Sequence, residues 1–67
     1  MRKTIHRCQY KKFKIKVIDS DREKGIWADF QRWSDGIFYG SYTDYRYTIN
    51  EAIDAAKNDI DNWLSKN

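Results

Sequence analysis

Three groups of residues in this chain are of types and spacings that could do chemistry. His6 and Cys8 stand two apart, so in an extended strand they share a face. A thiolate beside an imidazole is a nucleophile with its base, or half of a zinc site. The chain holds a single Cys and a single His, so zinc would need carboxylates or a second subunit, and no third group is spaced to orient a catalytic dyad. The pair is expected to be incidental, in a loose N-terminal strand. Asp19, Asp21 and Glu23 alternate like the opening of a calcium loop, which requires Gly at its sixth position and a bidentate Glu at its twelfth. Lys24 and Phe30 occupy those places, so the run reads as a solvated loop. With neither a phosphate-cradling glycine loop nor a Ser, His and carboxylate set, the expectation is a non-enzymatic protein with no catalytic residue, no metal ligand and no cofactor.

The third group is a lysine ladder. Lys12, Lys14 and Lys16 alternate with Phe13, Ile15 and Val17, the period of two that marks a half-buried strand. Ammonium groups at alternate positions can track phosphates, and flat rings nearby can stack on unpaired bases. The competing reading is a strand edge guarded by lysines against self-association.

These groups need elements to position them. The ladder places a first strand at about residues 10–18. After the polar stretch 19–25, a second strand is expected at about 26–33 and a third at about 37–43, joined by the hairpin signal Asp35-Gly36. A two-residue turn there sets Trp33 opposite Phe38, Gln31 opposite Gly40, Asp29 opposite Tyr42, Arg32 opposite Tyr39 and Phe30 opposite Ser41. Which face is buried stays open. Either Ile26, Ala28 and Phe30 go inward and Trp27, Trp33, Phe38 and Tyr42 stay out, or Ile26, Ala28, Phe30, Arg32 and Tyr39 are the exposed set.

The last element is a helix. Thr48 and Glu51 form a capping box, with Tyr47 and Ala52 placed for a hydrophobic staple, and Ile49, Ala52, Ile53, Ala56, Ile60, Trp63 and Leu64 repeat on one stripe. The helix is predicted over about 49–65. Its other side carries Asn50, Glu51, Asp54, Asn58, Asp59, Asp61 and Asn62. So many weak helix formers cannot hold a helix alone in water, and the stripe must dock on the sheet. Residues 1–67 are therefore expected to be one β-β-β-α domain of the α+β class: a three-stranded antiparallel meander with one C-terminal helix packed on one face.

Composition bounds the function. Sixty-seven residues suffice for one core, and a deep substrate pocket would consume it, so the working surface is expected to be an open face rather than a small-molecule site. Hydrophobic residues at 40% and charged ones at 34% exclude disorder. No apolar run is long enough for a membrane span, the start of the chain leads into no apolar signal core, and the lone Cys8 fits a reducing cytoplasm. Residues 1–24 hold nine Lys/Arg against three Asp/Glu, net +6, and residues 25–67 hold four against seven, net −3. The molecule is electrically polarised, which is an argument about partners.

Residues 8–64 resemble small bacteriophage and prophage proteins whose pattern runs Tyr-Lys-Gly-aromatic-x-Ile, a central Asp-Gly, then Glu-Ala and Ile-Asp in a helix. Here these stretches are Tyr10-Lys11-Lys12-Phe13-Lys14-Ile15, Asp35-Gly36, Glu51-Ala52 and Ile60-Asp61, with Lys12 in the glycine's place. The resemblance implies a host-takeover or regulatory setting. The element order also looks like that of AP2-type and integrase-arm DNA-binding domains, whose sheet enters the major groove. Those sheets carry arginines for guanine, whereas this one offers mainly lysines. The expected function is nucleic-acid binding through Lys12, Lys14, Lys16, Trp27, Gln31, Arg32 and Trp33. The alternative is a phage-type inhibitor or adaptor that binds a nucleic-acid-handling host protein, as an anti-CRISPR-like, defence-countering protein would. The open face could also pair two copies as a homodimer.

Overall fold

A computed structural model describes residues 3–19 and 25–66. It is an α+β structure of four strands and one helix: β1 (Lys3–Tyr10), β2 (Phe13–Asp19), β3 (Ile26–Ser34), β4 (Ile37–Tyr42) and α1 (Ile49–Lys66). The strands form one antiparallel sheet in the order β1-β2-β3-β4, a meander with α1 packed on one face.

The expected first strand is in fact the second half of a hairpin. Lys11 and Lys12 take positive φ values of 48° and 71°, the requirement of a two-residue type I′ turn, and Tyr10 comes to lie opposite Phe13. β1 thus adds a fourth strand, paired with β2 through Arg7↔Lys16, Cys8↔Ile15 and Gln9↔Lys14, with an irregularity between Thr4 and His6. The second hairpin follows its turn signal. Asp35 and Gly36 have φ of 53° and 77°, and all five expected cross-strand pairs between β3 and β4 are formed.

The core lies between sheet and helix. Phe13, Ile15 and Val17 of β2, Ala28 and Phe30 of β3, and Ala52, Ala56 and Ile60 of α1 are buried together. The inward set on β3 is therefore Ala28 and Phe30, and Trp27, Trp33, Phe38 and Tyr42 fall on the other face, which resolves the ambiguity. Small Ala52 and Ala56 let the helix approach the sheet closely, while Trp63 closes the lower end edge-on to Phe13 with ring centroids 5.7 Å apart.

The helix opens with the expected capping box: the Glu51 amide donates to Thr48 Oγ1 at 3.1 Å and the Thr48 amide donates to Glu51 Oε1 at 3.1 Å. The staple is absent. Tyr47 is 88% exposed, because the segment before the helix is tied to the sheet instead. Ile26 and Arg46 exchange backbone hydrogen bonds of 2.9 and 2.6 Å, and the buried Thr43 accepts from the Ala28 amide at 3.0 Å. Gly25, at φ +101°, lies so close to the Arg46 carbonyl that no Cβ would fit. Among the described residues no helix is long and apolar enough to cross a membrane.

Candidate nucleic-acid interface

A strand alternates its side chains, so the residues between the core positions of β2 and β3 must point away from the helix. The register aligns them in rows across the sheet. One row runs Arg7, Lys16, Asp29, Tyr42, and the next runs Gln9, Lys14, Gln31, Gly40. Ile18 stands opposite Trp27 above these rows, and Trp33 opposite Phe38 below them.

The open face has two halves. On β1 and β2, Arg7, Gln9, Lys14 and Lys16 surround a shallow depression of about 320 Å³, with three cations at its rim. On β3 and β4 stand two edge-to-face ring pairs, Trp27 with Tyr42 at 5.7 Å between centroids and Trp33 with Phe38 at 5.6 Å. Trp33 is 72% exposed, Phe38 53% and Tyr42 71%, so these rings offer apolar surface to solvent. Between the pairs, Gln31 faces Gly40, over which the Phe38 ring is folded: a Cβ at Gly40 would lie 2.9 Å from Phe38 Cζ.

Of the residues singled out in the sequence, Lys14, Lys16, Trp27, Gln31 and Trp33 share this face. Lys12 does not, since the ladder breaks at the β1–β2 turn and Lys12 sits in it. Arg32 is on the helix side. Its guanidinium carbon lies 5.8 Å from the centroid of Phe13 and 5.7 Å from that of Trp63, and Nη2 donates to Ser34 Oγ at 3.3 Å. That is a packing position for an arginine, whose flat, weakly hydrated head stacks on rings. Sequence reasoning missed Arg7 and Gln9, which reach the face because β1 pairs with β2. Alternation within residues 3–10 is the signal that could have placed them.

The other two groups fall elsewhere. His6 and Cys8 lie on the helix side of β1, opposite Val17 and Ile15, with Cys8 packed against the core. Asp21 and Glu23 lie outside the described residues.

One further contact ties β1 to the helix. The Tyr10 hydroxyl donates to the Asp61 carboxylate at 3.0 and 3.1 Å, and Lys11 Nζ lies 2.7 Å from Asp61 Oδ1. The hydrogen bond from Lys11 holds the Asp61 carboxyl below its ordinary pKa, and the same bond raises that of Lys11. Compared with known proteins, the chain matches no family model, no curated protein and no solved structure.

Proposed function

We propose that this chain is a non-enzymatic binding module of phage type that engages nucleic acid through the open face of its sheet. The observation that carries the reading is the meeting of Arg7, Lys14 and Lys16 with the ring pairs Trp27–Tyr42 and Trp33–Phe38 on one uncovered surface. Cations neutralise phosphates and release counterions, and rings supply the apolar contact that bases accept. A face meant only to stay in water has no use for three large exposed rings on one side.

Titrating a labelled oligonucleotide at increasing salt tests this. Three phosphate contacts predict a log-log slope of roughly −2 to −3. The charge reversals Lys14→Glu and Lys16→Glu together should abolish binding while the circular dichroism spectrum is kept, because Lys14 is exposed and both side chains leave the core side free. Unchanged affinity in the folded double variant would sink the proposal.

A second reading rests on the helix. Glu51, Asp54 and Asp59 are exposed along its solvent side, a negative surface that suits an inhibitor or adaptor docking on a basic, nucleic-acid-handling host protein. Binding by the Lys14 and Lys16 variant to such a protein, with oligonucleotide binding absent throughout, would favour it.

A further inference from the structure

We infer that the nucleic acid this face takes is single-stranded, with its phosphates over β1 and β2 and its bases over β3 and β4. The inference rests on the nucleic-acid reading above and deepens it.

Width is the first ground. Three inter-strand steps set β1 and β4 about 14 Å apart before side chains are added, and the major groove of a B-form duplex is only about 12 Å wide. The fourth strand makes the face too broad to lie flat on the floor of that groove. The segregation of chemistry is the second. Arg7, Lys14 and Lys16 lie on the two strands of one half, and the exposed rings lie on the two strands of the other. A duplex shows phosphates on both sides of a groove and hides the faces of its bases. A single strand shows phosphates along one side and bases along the other, as this surface does.

The rings themselves are the third ground. Phe38 lies over Gly40 rather than standing off the sheet and is still 53% exposed, with Trp33 beside it in an edge-to-face pair. Phe38 and Tyr42, four residues apart on β4, are separated by about 13 Å along the strand. The two ring pairs are thus distinct stacking stations. Between them stands Gln31, beside the Phe38 ring that fills the space over Gly40, an amide of the kind that hydrogen-bonds base edges.

Fluorescence anisotropy with dye-labelled oligothymidine, oligouridine and a mixed-sequence duplex tests the inference and separates DNA from RNA. The expected result is single-strand affinity at least about tenfold above duplex affinity. Trp33→Ala with Phe38→Ala should cut single-strand affinity by about tenfold or more and leave duplex binding unchanged. Trp33→Phe with Phe38→Tyr keeps two rings and should restore it, which guards against loss through misfolding. Duplex binding as tight as single-strand binding, or single-strand affinity indifferent to both ring removals, overturns the inference while the nucleic-acid reading stands on the measured binding. No shift with any of the three probes overturns both and leaves the face to a protein partner.

Discussion

On β2 and β3 the two faces of the sheet are written in alternate letters of the same segments. Phe13, Ile15, Val17, Ala28 and Phe30 go inward and are buried, while Lys14, Lys16, Asp29, Gln31 and Trp33 go outward. The inward set is apolar throughout and is covered by α1. The outward set mixes cations, an acid, an amide and an indole, and no element of the described chain covers it. One face forms the core, and the other is left open with large rings exposed. The difference matters because it makes stability and binding separable by single substitutions at neighbouring positions.

The largest expected contrast uses two phenylalanines. Phe13 meets Phe30, Tyr39 and Trp63 edge-on at 6.1, 6.0 and 5.7 Å. Truncating such a buried ring costs about 3–5 kcal/mol, which equals the whole margin of about 3–5 kcal/mol that a core of this size supplies. Phe13→Ala should therefore leave the chain largely unfolded at room temperature by circular dichroism. Phe38→Ala removes a ring of the same size from the other face, where a cross-strand pair contributes less than about 1 kcal/mol. It should melt cooperatively near the wild-type midpoint. Comparable losses in the two variants would mean that the faces are not separable.

The contrast was only partly legible in the sequence, and the reasons are physical. The β3–β4 register was readable because Asp35-Gly36 supplies a residue that favours positive φ, and the helix because Thr48 and Glu51 satisfy each other's backbone groups. β1 was hidden. Its turn, Lys11-Lys12, adopts positive φ with two residues that ordinarily avoid it, so nothing marks a break and the alternation of Lys12 with Phe13 reads as one continuous strand. β1 itself shows only a weak apolar period, since its helix-side residues are His6, Cys8 and Tyr10. Losing β1 meant losing Arg7 and Gln9 and misplacing Lys12. The face ambiguity of β3 and β4 arose because rings stand on both sides of them, and only packing against Ala52, Ala56 and Ile60 decides it. Arg32 illustrates the limit most clearly, because a cation stacked on Phe13 and Trp63 has the same letter as one aimed at a phosphate.

A substitution in the hidden turn sharpens the comparison. An L-residue held in the left-handed region costs roughly 1–2 kcal/mol that glycine does not, offset in part by the greater freedom glycine gives the unfolded chain. Lys12→Gly should then stabilise by about 0.5–1 kcal/mol, read as a rise in denaturant midpoint with an unchanged slope. The same variant should bind oligonucleotide within about twofold of wild type, because Lys12 lies off the open face, whereas charge reversal at Lys14 and Lys16 should not. A tenfold loss on Lys12→Gly would return Lys12 to the binding surface and break the assignment of faces.

The smallest effect is expected where the helix holds the end of β1. Asp61 accepts from Lys11 and Tyr10, and with its pKa lowered in the folded state its contribution to stability is complete above the ordinary carboxylate value and is lost as pH falls through the lowered one. Lys11, raised in the folded state, contributes below the ordinary lysine value and loses that contribution as pH rises through the raised one. The pair therefore acts across the neutral range and fades at both extremes. It is open to solvent, so salt screens it and its weight is small. Asp61→Asn keeps an acceptor for the Tyr10 hydroxyl and removes the charge. Its denaturant midpoint should fall slightly below wild type at neutral pH and low salt, and the gap should close both in about 1 M salt and at a pH low enough to protonate the wild-type carboxylate. Oligonucleotide affinity should stay within about twofold, since Asp61 is on the helix and the proposed surface is on the far side of the sheet. A gap that persists in acid would show that the contact works by shape rather than charge. A marked change in affinity would show that the covered face and the open one are coupled after all, through the one hairpin whose turn the helix holds.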